Sequence, residues 1–445
     1  MVWNNKVVWS EGMFLRTQHF QQQDRYLERL VRDATGGLAS YGWGVRELRL
    51  NTALLDTGKV AVSEARGVLP DGTPFSIPDD VDHPPPLELT ETAREGVVYL
   101  AAPVHQPGMA EIDPADAADG GARYRGHRFE ASDVIVGMGG GSAPIEVGRL
   151  RVRLLHESDD RAGYVGIGVA RVLEVRADRT VVLDPNYIPP CLHAGASPVL
   201  AGYLSECEGK LASLGDELAR FVADPRATGV AEVADFLLLQ LVNRAQPLLA
   251  HLAAQGRVHP EPLYGWLASL AGEFATFTSP NRRPPAFPVY RHDDIAGCFR
   301  PVIDELRRSF AAPRERKAVP IPLRLHRSGV RTGEIADRGL LTGASFVLAV
   351  KASVPAETLR RRFPAQAKIG PVDGFEELVR FQLEGIRAQA LPVAPRQIPF
   401  HVDTTYFELE RSGTYWRKLQ TSGGLAIHVA DEFPDMEIEC WAIRE

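Results

Sequence analysis

Three strings in this 445-residue chain invite a chemical reading. Gly137-Met138-Gly139-Gly140-Gly141-Ser142 has the density of glycine that a dinucleotide-binding turn needs. Its third motif glycine is replaced by Ser142, however, and Pro144 follows where a phosphate-binding helix would begin. His156-Glu157 starts like a zinc-protease helix but lacks the second histidine four residues on, and His105 and His127 do not complete a metal-ligand spacing with it. Cys191, Cys207, Cys298 and Cys440 form no C-x-x-C pair, so they read as buried, reduced thiols, neither a zinc site nor a disulfide framework. With no G-x-S-x-G elbow and no Walker loop either, no nucleophile, metal set or cofactor is nominated. Catalytic residues scattered along the chain would escape such a search, so a hydrolase with a helical oligomerisation stalk stays as a competing class.

Composition sets the frame for these strings. A hydrophobic content of 44%, a charged content of 24% and a net charge of -7 describe an ordinary globular protein and argue against nucleic acid as the main partner. The N-terminus lacks the basic and apolar regions of a signal peptide, and no apolar run reaches the ~18 residues of a membrane span. A cytoplasmic location without a membrane span is expected. The 40 glycines and 33 prolines exceed the usual ~7% and ~5%, which implies many turns and a large β component.

The elements follow from periodicity. Lys6-Val7-Val8-Trp9 reads as a short strand and Ser10-Glu11-Gly12 as a turn, with a helix through Phe20, Leu27, Leu30, Val31 and Ala34 that ends at Gly36-Gly37. From Tyr41 to about Leu183 short apolar runs alternate with turn residues, including hairpin candidates at Asp71-Gly72 and near Gly58, as in a β-sandwich or distorted barrel. The segment 106–128 is acidic, then glycine-rich, then basic, and reads as a long exposed loop. Asp184–Pro190 reads as a semi-rigid linker.

Four helices follow, beginning with a heptad seam: Leu200, Leu204, Cys207, Leu211, Leu214, Leu218 and Phe221 alternate spacings of four and three. Such a seam suits copies of itself or the next helices of the same chain. Those are expected from about Gly229, with Pro247 as a kink, then over about Glu261–Thr276 and Asp293–Phe310. The proline-bracketed stretch Pro313–Pro322 reads as a linker to an α+β domain. In its last strand Met436, Ile438, Cys440 and Ala442 alternate with Glu437, Glu439 and Trp441, the period of a half-exposed sheet. Arg360, Arg361, Arg362 and Lys368 form a basic cluster there: a solvated helix face, or a contact for acidic protein surface or anionic lipid.

The string Val7–Leu30 resembles the N-terminal signature of the TssK family, baseplate adaptors of bacterial type VI secretion systems. The resemblance is carried by Trp9-Ser10-Glu11-Gly12-Met13 and Leu15-Arg16-Thr17-Gln18-His19-Phe20-Gln21. Thr17 stands where proline is usual, and a threonine there can cap the helix instead. The far end is also similar, through Lys368-Ile369-Gly370-Pro371, Gly385-Ile386, Tyr406-Phe407, Trp416 and Trp441-Ala442-Ile443-Arg444.

The resemblance implies a multidomain α and β homotrimer: a β-sandwich-like shoulder over 1–188, a helical-bundle neck over 189–312, a linker over 313–322 and an α+β head over 323–445. It implies a structural adaptor, not an enzyme, without cofactor or metal. The shoulder would hold the TssF–TssG wedge, and the head would contact the cytoplasmic parts of TssL and TssM at the inner face of the inner membrane. Trp3, Trp9, Phe14 and Phe20 are then the apolar wedge anchors, aromatics being favoured at interface centres. The alternative is that Trp9 and Phe20 seal the shoulder core. In that plan the heptad seam lies between two lobes, where self-association through the neck is expected. A phage-like tail or receptor-binding protein is the nearest alternative.

Overall fold

Strand formation in the first half begins where glycine permits it. Gly44 has φ +128°, and a Cβ there would lie 2.8 Å from the backbone of Pro190 and Cys191. That approach lets Val45 N–H donate to Pro190 O (2.8 Å) and Leu192 N–H to Val45 O (2.9 Å). Asp184–Pro190, expected as a linker, therefore ends in the core: Ile188 to Pro190 are buried. An extended proline-rich segment can satisfy a strand edge as readily as it can bridge two domains.

The computed structural model describes residues 4–89, 95–115, 121–135, 141–223, 233–313, 318–326, 329–395, 397–398, 401, 403–430 and 433–444. Two compact units divide the chain, Met1–Leu214 with Leu241–Ala311 and Gly215–Gln240 with Ala312–Glu445.

The first unit holds several small sheets. Gly44–Leu50, Val62–Val68 and Pro74–Ile77 form an antiparallel three-strand sheet, turned at Gly72 with φ +87°. Arg153–His156, Gly96–Pro103, Tyr164–Val175 and Val181–Leu183 form a four-strand sheet in that order, with Val98, Leu100, Ile167 and Val172 in its core. A third sheet pairs Tyr124–Ser132 with Ser142–Leu150, and Ile112–Asp113 lies parallel to its start. The expected exposed loop over 106–128 thus contains two strands and a buried guanidinium. Arg123 is 6% exposed and donates to Asp71 (2.7 Å), Thr73 (2.6 Å) and Pro103 O. A cation so completely paired converts a polar stretch into core. Gly137–Gly140 of the glycine run lie outside the described residues.

Helix α1 spans Thr17–Gly36. Thr17 is its first helical residue, so the cap falls on Arg16, whose N–H donates to His19 Nδ1 at 3.0 Å. Lys6–Trp9 forms no strand among the described residues. Helices α2 (Pro198–Ala223), α3 (Val233–Gln255), α4 (Pro260–Thr278) and α5 (Ile295–Ala311) match the four expected, and Pro247 sits inside α3 without ending it. α4 and α5 pack through Tyr264 on Phe299 (5.5 Å between rings) and Phe274 on Phe310 (5.2 Å).

In the second unit a five-strand antiparallel sheet runs Ala318–Ile321, Glu437–Arg444, Ala344–Lys351, Thr404–Leu409, Ala388–Ala390. Beside it is a four-strand sheet of Leu323–Leu325, Arg331–Glu334, Gly424–Val429 and Ala367–Pro371. Ala318–Ile321, expected within the linker, pairs with the last strand, Ile321 opposite Cys440. That last strand is half-exposed only at its start, where Glu437 and Glu439 face solvent. Ile438, Cys440 and Ala442 face one core, while Trp441 and Ile443 are buried in another with Val347, Tyr406 and Ile398. Side chains packed above and below close both faces over Cys440–Ile443, the second of them under Ile398.

Candidate docking surfaces

The N-terminal helix is amphipathic yet buries no residue. Phe20, Leu27, Leu30 and Val31 recur at helical spacing and are all exposed, and before them Trp9 and Phe14 are exposed too, Phe14 at 84%. Trp9 leans against His19 and Phe20, with ring centroids at 6.2 and 6.4 Å. That local cluster fixes the aromatic group without hiding it. The alternative in which Trp9 and Phe20 seal the shoulder core does not hold within one chain. Trp3 lies outside the described residues.

The heptad seam has the opposite fate. Leu200, Leu204, Cys207, Leu211, Leu214 and Leu218 are buried, and Phe221 is partly buried, within a single chain. Of the two partners the seam suits, its own chain already supplies one. The outer face of the same helix carries Glu206, which accepts two hydrogen bonds from Arg307 of α5 (2.8 and 2.7 Å). That paired guanidinium holds the Glu206 carboxyl below the usual range, and partial burial opposes it.

The basic cluster of the second unit is dispersed. Arg360 pairs with Glu357 (2.9 Å), Arg362 lies over the Phe433 ring (5.7 Å), Lys368 donates to Gln382 O (3.4 Å), and Arg361 is exposed. Consecutive residues on a helix point about 100° apart, so three adjacent arginines do not share a face.

Where α1 gives way to the sheets, a histidine junction holds the chain. His292 Nε2–H donates to Trp43 O (2.9 Å) and His259 Nε2–H to Tyr41 O (3.0 Å). A carbonyl only accepts, so each Nδ1 is an acceptor, from Tyr290 O–H (2.8 Å) and from Glu261 N–H (3.1 Å) respectively. The two imidazoles stack at 5.2 Å. Burial pushes both below the ordinary histidine range, His292 to about 4, with the neighbouring His259 adding to the effect on His292. These histidines stand 33 positions apart, so no local spacing in the sequence signals their meeting.

Chemically reactive groups are muted. Burial pushes the thiols of Cys191, Cys207 and Cys440 up to about 12, and raises that of Cys298. His105 pairs with Glu111, and the His156 ring meets Ser158 Oγ at 2.8 Å. Among the described residues no three His, Cys, Asp or Glu side chains gather as a metal set.

Uncovered faces, rather than converging reactive groups, are what these elements present, and the class they define is an assembly protein. The family described as "Bacterial Type VI secretion, VC_A0110, EvfL, ImpJ, VasE" matches residues 19–443. The type VI secretion system baseplate component TssK1 of Pseudomonas aeruginosa is 49% identical over 444 residues, all of both chains. A crystal structure of TssK is similar at 38% identity and TM-score 0.66, covering 99% of this chain and 100% of that one. A chain of the TssK-TssF-TssG baseplate subcomplex, seen by cryo-electron microscopy, is similar at 27% identity and TM-score 0.61 over 69% of this chain and 99% of its own. This chain belongs to the TssK family. It is a structural baseplate component and not an enzyme.

Proposed function

We propose that this chain is a homotrimeric adaptor that joins the TssF–TssG wedge of the type VI baseplate to the cytoplasmic parts of TssL and TssM, at the inner face of the inner membrane. The observation that carries the reading is full-length identity of 49% to a TssK1 baseplate component. Similarity to a chain in a TssK-TssF-TssG subcomplex supports the wedge as partner. No helix among the described residues is long and apolar enough to cross a membrane, which fits recruitment through other proteins.

In this reading residues 1–188 are the shoulder and 189–312 the neck. The head begins at Ala318, because Ala318–Ile321 pairs with the final strand. Trp9, Phe14 and Phe20 are wedge anchors, supported by their exposure before and at the start of a helix that buries none of its own residues. The seam residues Leu200 to Phe221 build the neck that holds three copies in register, and Arg360, Arg361, Arg362 and Lys368 supply separate charged contacts from the head. The test is retention of TssF–TssG by a Trp9→Ala, Phe14→Ala double variant that light scattering shows to be a folded trimer. Sharply reduced retention is expected; full retention would remove these residues from the wedge contact.

A further inference from the structure

The ribbon of Tyr124–Ser132 and Ser142–Leu150 sets Arg125 directly opposite Arg149. Like charges facing each other across a strand pair are destabilising, so the arrangement calls for compensation. Asp82 pairs with Arg149, but among the described residues no carboxylate pairs with the exposed Arg125. Three residues beyond the ribbon Arg153 is exposed as well, its guanidinium held over the Tyr164 ring at 5.2 Å rather than against an acid.

These arginines line an open groove of about 510 Å³ whose other wall is the Asp82–Glu88 segment. Pro85 and Pro86 form part of that wall, and proline offers no N–H. Leu87, Val152 and Leu155, all partly buried, add apolar surface to the lining. Glu88 is engaged by Lys59 (2.6 Å) and Asp159 accepts from His156 N–H (2.8 Å), and among the described residues neither forms an ion pair with Arg125 or Arg153.

We propose that this groove docks an extended acidic segment of a partner protein, one with carboxylates alternating with aliphatic side chains. Carboxylates of the segment pair with Arg125 and Arg153, relieving the repulsion at Arg149, while its aliphatic side chains lie on Leu87, Val152 and Leu155. Leu87, Val152 and Leu155 offer apolar surface that a polyphosphate backbone does not use, and a net charge of -7 for the chain argues against nucleic acid in the same place. The groove includes none of the N-terminal aromatics, so the site goes beyond the wedge contact and is independent of it.

The test is fluorescence anisotropy of the full chain with a fluorescein-labelled peptide Glu-Leu-Glu-Leu-Glu-Leu, its lysine-for-glutamate counterpart, and a short single-stranded DNA. The glutamate peptide is expected to bind, more weakly as salt rises, and to lose about tenfold in affinity in Arg125→Glu, Arg153→Glu. The Arg125→Gln variant removes an exposed side chain that pairs with no carboxylate among the described residues, so it keeps the fold and should lose about threefold. The Trp9→Ala, Phe14→Ala variant should bind the peptide as the parent does, which separates this site from the wedge contact. No binding of the glutamate peptide, equal binding of the lysine peptide, tighter binding of the DNA, or undiminished binding by Arg125→Gln and the double variant would each overturn the proposal.

Discussion

Helices α1 and α2 are both amphipathic, and their apolar faces meet opposite ends. Six seam residues of α2 are buried in one chain, whereas α1 buries none of its twenty residues. Periodicity shows that a helix has an apolar face; it is silent about what covers it. A face covered within the chain contributes to its stability, and a face left bare is available to a partner.

That contrast is most directly broken at Leu211 and Leu214. Truncating both to alanine should cost ~2–5 kcal/mol each, through lost burial and the cavities left behind. Calorimetry should show a large fall in melting temperature, and an unchanged melt would mean the seam is not core.

A second test addresses the junction that ties Tyr41 and Trp43, just beyond α1, to the starts of α4 and α5. His292 is lowered by burial first and then by His259, while the bond to Trp43 O and the charge of Asp293 oppose the shift. A histidine lowered on folding stabilises in its neutral form. Its contribution is full above the unfolded value near 6.5 and is lost as pH falls towards about 4. Denaturant melts should therefore show stability dropping by about 3 kcal/mol at most between those limits. A flat profile would deny that the junction is intact.

A smaller effect belongs to the polar side of α2. Arg307→Ala should cost about 0.5–1 kcal/mol, since its bidentate pair with Glu206 is partly exposed. A double-mutant cycle with Glu206→Ala isolates it. Smallest of all for stability should be Trp9→Ala with Phe14→Ala, each within about 0.5 kcal/mol because no fold contact of consequence is lost. Their signature is reduced wedge retention at an unchanged melting temperature. A substantial loss of stability would mean that the face is core after all.

Legibility followed the range of the interaction. Helices α2 to α5 and the turn at Gly72 were readable because helical period and a left-handed glycine are local properties. Strand 437–444 was readable as a strand, but the burial of its second face was not, because Ile398, Leu391 and Ala394, about forty to fifty residues earlier, pack over Trp441 and Ile443. Arg123 looked like part of a polar loop until Asp71 and Thr73, about fifty residues away, closed on it. The Arg125–Arg149 pair was likewise invisible, since strand register is not written in either strand alone.

By itself the sequence determined the order of β-rich, helical and mixed regions, the amphipathic faces, and membership of the TssK family through its two end signatures. Only the tertiary structure decided which apolar face is filled and which stays bare, and which arginines face each other across the groove. Periodicity is a property of neighbours along the chain, whereas burial and charge pairing depend on residues that folding alone brings together.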